Sequence, residues 1–384
     1  MNKLDELIAL LCPNGVKYQE LAHAVSIERG KRVVREQLDE TGLYPVYQNS
    51  LTPLGYHSQW NYPAETTFLI VAGAAGEIGY STCNFWAADD CFPLVCGENL
   101  SSRYLYHVML WLQPTILSRV RKASIPRLSR DSIERLTIPV PPLEIQHEIV
   151  RILDTFTELT AELTAELTAR KQQYAYYRDN LLTFRVDITR KSLDELCTIS
   201  AAGDAPKDAL SLTKTAEYQI PVISNGIGEN AFYGYTDKPK ITEPAVTVAA
   251  RGTIGYAEYR DYPYYPIIRL LSVIPKNTAV LATKYLYYCM QGKKYNVPLG
   301  GIPQLTAPEL KKVVIPVPPL PVQQRIVTVL DNFDAICSDL NIGLPAEIEA
   351  RKKQYEFYRD QLLTFAAQDE IVLTDRQTDR QTDR

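Results

Sequence analysis

Apolar residues fall three or four apart along two long stretches of the chain, a spacing that predicts two amphipathic helical arms. The first stretch comes after Pro141 and Pro142, a pair suited to a helix entry, and runs from 143 to 184 without Gly or Pro. Its stripe is Ile149, Ile152, Leu153, Phe156, Leu159, Leu163 and Leu167. A helix of that length spans about 60 Å, and one apolar stripe on so long a rod requires a partner helix. The second stretch offers Ile326, Val329, Leu330, Phe333, Ile336 and Leu340. Gly343 and Pro345 in IGLP (342–345) predict a break there, after which the helix resumes toward 365.

The remaining sequence has a different texture. TTFLIVAG (66–73), AVTVAARG (245–252) and KVVIPVPP (312–319) are short, apolar, β-branched runs bounded by Gly or Pro, and they read as strands. Short helices are expected at 101–113 and 283–291. These segments form two bodies of mixed α/β type, one ahead of each arm.

The chain is written twice. IPVPPLEIQHEIVRILDTF (138–156) returns as IPVPPLPVQQRIVTVLDNF (315–333), and RKQQYAYYRDNLLTF (170–184) returns as RKKQYEFYRDQLLTF (351–365). Across these blocks 23 of 34 positions are identical, which makes this a duplication. Weaker matches precede each block in the same order: YPVYQNS (44–50) with IPVISNG (220–226), GEIGY (76–80) with GTIGY (252–256), and ASIPRLS (123–129) with GGIPQLT (300–306). The implied organisation is a first body at 1–142, a first arm at 143–184, a second body at 185–319, a second arm at 320–366 and a tail at 367–384. The tail's TDRQTDRQTDR is of low complexity and is expected to be disordered.

The net charge of −4 is unevenly spread. The two arms and the tail sum to −7, while residues 185–320 carry +4 and residues 1–143 carry −1. The acidity therefore lies outside the bodies, whose surfaces remain open to phosphate. Seven cysteines with no CxxC pair read as reduced thiols, and the chain lacks both a secretory signal pattern and an apolar run long enough for a membrane span. A cytoplasmic location is expected.

Enzyme signatures are weak or missing. Gly73, Gly76 and Gly79 in AGAAGEIG lack GxGxxG spacing and read as a tight turn between strands. The sequence has no GxxxxGK[ST] loop and no NPP[YF] motif of an adenine-N6 methyltransferase. His147-Glu148 begins HEIVR, which falls short of a zinc-binding HExxH; it reads as an exposed helix start. His23, His57, His107 and His147 show no nucleophile–base spacing. No catalytic or metal-binding residue is expected in this chain.

The paired IPVPPL-led arms, the RKxQYxxYRDxLLTF endings and the tandem TAEL tetrapeptides (Thr160–Leu163 and Thr164–Leu167) resemble the specificity subunit of type I restriction–modification systems. The opening LCPNGVKYQELAHAV is similar to that family's start, so the resemblance covers nearly the whole chain. It implies an α+β protein with two target-recognition domains separated by an antiparallel coiled-coil pair of arms in a pseudo-two-fold arrangement. It further implies that each domain reads half of a bipartite double-stranded DNA target. Two methyltransferase subunits and the restriction/translocase subunits would dock on the chain, and S-adenosylmethionine, ATP and Mg²⁺ would be bound by those partners. Each TAEL unit adds about 6 Å of helix, a plausible step for the unread spacer.

Residue chemistry then supplies DNA-contact candidates, since Arg and Lys suit phosphate and guanine while Asn and Gln suit adenine. In the first body these are Lys31, Arg32, Arg35, Gln48, Asn49, Arg121, Lys122 and Arg127. In the second they are Asn225, Arg251, Lys293, Lys294 and Gln304. Leu159, Leu163, Leu167, Tyr174, Tyr177, Tyr355 and Tyr358 are candidates for the spacer and for partner docking. A stand-alone methyltransferase or nuclease, and a protein-only adaptor, are the alternatives.

Overall fold

Strand order is the same in both halves of the chain, as a computed structural model describing residues 3–39, 41–184, 188–295, 303–338 and 342–365 shows. The first half contributes β1 (Tyr18–Glu20), β2 (Val25–Ile27), β3 (Tyr44–Tyr47), β4 (Gly55–His57), β5 (Thr66–Ile70), β6 (Ile78–Ser81), β7 (Trp86–Ala87), β8 (Cys91–Cys96) and β9 (Thr137–Pro139). The second contributes β10 (Arg190–Ser192), β11 (Cys197–Ala201), β12 (Ile220–Ile223), β13 (Phe232–Thr236), β14 (Ala245–Ala249), β15 (Ala257–Arg260), β16 (Tyr265–Pro266), β17 (Leu270–Pro275) and β18 (Val314–Pro316). Sheets β2-β8-β5-β6, β4-β3-β7 and β1-β9 recur as β11-β17-β14-β15, β13-β12-β16 and β10-β18. The central strands β5 (TTFLI) and β14 (AVTVA) are buried at every position, which is why they read as continuous apolar runs.

The helices are α1 (Lys3–Leu11), α2 (Leu21–Ala24), α3 (Ser102–Ser118), α4 (Arg130–Glu134), α5 (Leu143–Leu182), α6 (Leu193–Leu196), α7 (Thr283–Met290), α8 (Ala307–Lys311), α9 (Leu320–Ser338) and α10 (Leu344–Leu363). The first arm is thus one 40-residue helix. The second is two helices, the later one carrying Pro345 in its first turn, where a missing N–H costs nothing. Two compact units result: Met1–Leu163 with the chain from Glu347 onward, and Thr164–Ala346.

In the first unit α5 and α10 run antiparallel. Tyr358 stacks on Phe156 with ring centroids 5.1 Å apart, and further along α10 Leu363 joins the core that holds Ile149 and Ile145. In the second unit α5 and α9 do the same: Tyr177 stacks on Phe333 at 5.4 Å, while Arg170 and Lys171 lie near Cys337. The stripe on α9 differs from the predicted one. Ile326, Leu330 and Cys337 are buried, whereas Val329 and Ile336 are 37% and 42% exposed. The buried seam therefore runs 326, 330, 333, 337, closer to the 3.5-residue repeat of paired helices. Leu340 and the tail at 366–384 lie outside the described residues. Leu159, Leu163 and Leu167 are half-buried on α5, while Tyr176 and Phe357, at matched positions of the two arms, are 66% and 57% exposed.

Each body is fastened to its arm by a buried glutamine. Gln146 and Gln323, both fully buried, occupy the same place after the Pro-Pro pair. The Gln146 Oε1 accepts from the Ser101 N–H at 2.8 Å, and its Nε2 donates to the Asn99 and Pro141 carbonyls at 2.9 and 2.7 Å. Gln323 repeats the set with the Ala282 N–H and the Val280 and Pro318 carbonyls, at 2.9, 2.8 and 2.8 Å. Glu148, expected at an exposed helix start, is instead buried. Hydrogen bonds from Arg151 and then Lys3 (2.7 and 2.8 Å) hold its carboxyl at about 2, while His147 beside it is exposed.

A second fastening differs between the units. In the first, the buried His107 of α3 contacts Asp154 of α5 through Nε2 and Tyr355 of α10 through Nδ1, both at 2.9 Å. Arg103 also binds Asp154 at 2.8 Å. In the second, Tyr288 and Lys284 of α7 bind Asp331 of α9, and Tyr174 of α5 bonds Gln291. Burial lowers the His107 pKa from its ordinary 6.5 against the pull of Asp154, so the ring is neutral, with Nε2–H donating to the carboxylate and Nδ1 accepting from the tyrosine. Burial alone would raise the Asp154 carboxyl, but the His107 and Arg103 hydrogen bonds hold it low.

Both shifts are depressions, so both stabilise the fold above the unfolded pKa and lose that stabilisation as pH falls. The first unit is therefore expected to weaken as pH drops below 6.5. The second carries Tyr288 at the matched place, which does not gain a proton there. Hydrogen exchange at pH 7.5 and 5.5, corrected for intrinsic rates, should show protection lost in α3 and α10 but kept in α7 and α9. Equal loss in both units would refute this assignment.

Candidate nucleic-acid interface

The turn after β5, and its counterpart after β14, is where four segments of each body meet, and the face they share is the candidate interface. In the second body the Ala249 N–H donates to the Tyr256 carbonyl and the Gly255 N–H to the Ala249 carbonyl, both at 2.9 Å. In the first, Ile70 and Gly76 make the same two bonds, to Glu77 and Ile70, at the same distance. Gly73 and Gly76 thus correspond to Gly252 and Gly255, and all four hold positive φ (81°, 93°, 74° and 85°) that a side chain would strain. This corrects the match of GEIGY with GTIGY, which is three residues out of register. Gly79 corresponds to Glu258 and is small for another reason: a Cβ there would lie 2.2 Å from the Phe68 ring.

Three further segments meet each turn. The first comes from the end of β3 or β12. Asn49 accepts the Ala74 N–H through its carbonyl at 2.9 Å; Asn225 receives the Thr253 hydroxyl at 3.0 Å and donates its own amide to the Arg251 carbonyl at 2.6 Å. The second precedes α4 or α8. The Leu128 N–H donates to Val71 and the Leu305 N–H to Ala250, both at 2.8 Å, which sets Arg127 and Gln304 at equivalent places. The third precedes β8 or β17. The Val71 N–H donates to Asp90 at 2.9 Å and the Ala250 N–H to Arg269 at 3.0 Å, so Asp90 and Arg269 are equivalent.

The candidates divide accordingly. Gln48, Asn49, Arg121, Lys122 and Arg127 surround the first face. Arg121 and Arg127 exchange backbone hydrogen bonds at 2.8 and 3.2 Å, and with Arg119 they line an open groove. Gln48 reaches Asp89 through its amide at 3.4 Å. Asn225, Arg251 and Gln304 surround the second face, where Gln304 accepts from Arg269 at 3.0 Å. Lys31 is tied by its backbone to Ala87 and Trp86, Arg32 is exposed, and Arg35 lies in the 3₁₀ turn Arg35–Gln37. Lys293 donates to the Val314 carbonyl at 3.2 Å, and burial lowers its pKa; Lys294 beside it is exposed.

Arg121, Arg127, Arg251 and Arg269 have no carboxylate within ion-pair distance among the described residues. On the arms, five of the six described arginines, Arg151, Arg170, Arg178, Arg351 and Arg359, are each paired with an acid. Cations left without acids at one face of each body are available to phosphate and to base edges. Sequence reasoning missed Arg269, Asp90 and Arg119. Aligning the strands by their hydrogen bonds finds the first two, because only that register sets them opposite each other.

A family profile described as "Type I restriction modification DNA specificity domain" matches residues 13–170 and again 185–350. A provisionally named type I specificity subunit of Mycoplasma pneumoniae is 30% identical over 90% of this chain and 97% of its own length. The specificity subunit of the Escherichia coli type I restriction enzyme EcoR124I/EcoR124II is 32% identical over 79% of this chain and 84% of its own. Among solved structures, a type I restriction–modification S subunit from M. genitalium superposes with a TM-score of 0.61 at 14% identity, covering 91% of this chain and 96% of that one.

Proposed function

The chain belongs to the type I restriction–modification DNA specificity family, and from that premise we propose that the two matched faces each read one half of a bipartite duplex. It is a specificity subunit, the DNA-target-recognition component of such a system. The carrying observation is a shared backbone frame with different side chains at three matched places: Ala72 against Arg251, Asp90 against Arg269, Arg127 against Gln304. One frame with two side-chain sets is what two readers of unlike half-sites require.

Chemistry on the DNA would come from docked subunits: two methyltransferase subunits using S-adenosylmethionine, and restriction/translocase subunits using ATP and Mg²⁺. The exposed Tyr176 and Phe357, with the partly exposed Tyr177 and Tyr358, offer apolar surface on the arms for such docking. The test is selection from a randomised bipartite duplex library by this chain assembled with its methyltransferase subunits. Two enriched half-sites support the reading; a complex that enriches none removes it, and methylation or cleavage by the purified chain alone would favour a stand-alone enzyme.

Binding should fall steeply with salt, and Arg121→Ala or Lys122→Ala should weaken all sequences about equally while lowering the slope of log K against log salt by about 1 each. A titration between about 50 and 200 mM salt measures this. An unchanged slope in both variants would place the two side chains off the phosphates.

A further inference from the structure

We propose that Arg269 and Gln304 act together as a guanine-reading pair on the second body. This rests on the DNA-reading assignment above and goes beyond it by naming the base. Arg269 arrives from the strand entry before β17 and Gln304 from the segment before α8, so the two come from chain segments far apart in sequence. They meet through a hydrogen bond from the Arg269 guanidinium to the Gln304 Oε1 at 3.0 Å. Gln304 is exposed and Arg269 half-exposed, and no carboxylate lies within ion-pair distance of Arg269 among the described residues.

That bond decides the chemistry. A glutamine reads adenine by donating to N7 and accepting from N6–H₂, which needs its amide oxygen. Here Arg269 already engages one lone pair of that oxygen, and the amide N–H₂ of the exposed Gln304 has no partner among the described residues. The pair therefore presents mainly N–H donors from two side chains, with the amide oxygen partly engaged by its own arginine. Guanine alone offers two adjacent acceptors, O6 and N7, in the major groove, whereas cytosine offers a donor and thymine a single acceptor beside its methyl group. In the first body the equivalent places hold Asp90, an acceptor, and Arg127, a donor. Two donors are replaced by a mixed pair on the same backbone frame, so the first body is set to read a different edge.

The experiment uses the full chain assembled with its methyltransferase subunits and the randomised duplex library. If the wild-type complex enriches no half-sites, the DNA-reading assignment itself fails and the pair is not the cause. If it does enrich them, Arg269→Ala and Gln304→Ala should each relax the same one or two adjacent positions of a single half-site. The preferred base there should be guanine in the wild type, and discrimination should fall by about 5- to 150-fold. The other half-site should keep its full preference, which also certifies folding and assembly. Gln304→Glu, which replaces the amide donor with an acceptor, should move the preference at that position away from guanine. Relaxation at a base other than guanine, relaxation in different half-sites, or a uniform loss of affinity with base preference intact would overturn the proposal.

Discussion

Deleting Thr164–Leu167 is expected to abolish recognition of the native target and to create a complex that prefers a spacer shorter by one base pair. The tetrapeptide is the second of two tandem TAEL copies within one unbroken helix, Leu143–Leu182, and each copy sets its leucine on the same half-buried stripe. Removing four residues shortens a helix by about 6 Å and rotates its downstream part by about 40° beyond a full turn. Leu163 then inherits the place of Leu167, so the stripe and the helix survive. One base pair turns duplex DNA by about 36°, close to the rotation removed, and a reader must keep facing its groove. Rotation therefore decides the increment.

On the old target one half-site falls out of register, and binding should drop toward the non-specific level, by about 10³-fold or more. A library with fixed half-sites and spacers of varied length measures this directly. An unchanged preferred spacer would show that the repeat serves helix formation alone. Loss of binding at every spacer length, with the protein folded and assembled, would show that the arm's length is fixed by its own packing.

The arms and the duplication were legible because their physics is local and was copied intact. A Pro-Pro entry and a glycine just ahead of a helix start each act within a few residues, and helices begin at Leu143 and Leu344 accordingly. The register of the bodies was not legible. The identity of GEIGY with GTIGY is real as a string but spurious as a correspondence, since Gly79 is required by the Phe68 ring and Gly255 by its backbone conformation. Two glycines kept for unrelated reasons align as letters while their hydrogen bonds do not.

The same limit hid Arg269 and Asp90, because each becomes notable only when Ala250 and Val71 are seen donating to their carbonyls. It also hid the finer stripe of α9. Val329 and Ile336 satisfy a helical period as well as Leu330 and Cys337 do, and only the partner helix chooses between them. In the sequence His107 is one of four unremarkable histidines. Its partners lie 47 and 248 residues away, beyond any spacing argument.

Gln146→Leu is expected to cost the first unit about 2–6 kcal/mol, a large share of the stability of a domain. Leucine is close in volume, so packing alone would tolerate the change. What it cannot do is meet the Ser101 N–H and the Asn99 and Pro141 carbonyls, three backbone groups that Gln146 satisfies at 2.8, 2.9 and 2.7 Å. Asn99 is exposed and its carbonyl is open to water, but the Ser101 N–H and the Pro141 carbonyl each cost about 1–3 kcal/mol when left without a partner beside a fully buried side chain. Gln146→Glu separates hydrogen bonding from shape. It keeps the acceptor for Ser101 but turns a carboxylate toward two carbonyl oxygens, so it should be tolerated only when protonated, with stability recovering as pH falls. Gln323→Leu should do the same damage to the second unit, because its three bonds have the same geometry. Hydrogen exchange resolves the two cases: Gln146→Leu should strip protection from α3 while α7 keeps it, and Gln323→Leu the reverse. A Gln146→Leu protein that melts with the wild type would mean that the body is held to its arm by apolar packing, with the glutamine contributing nothing measurable.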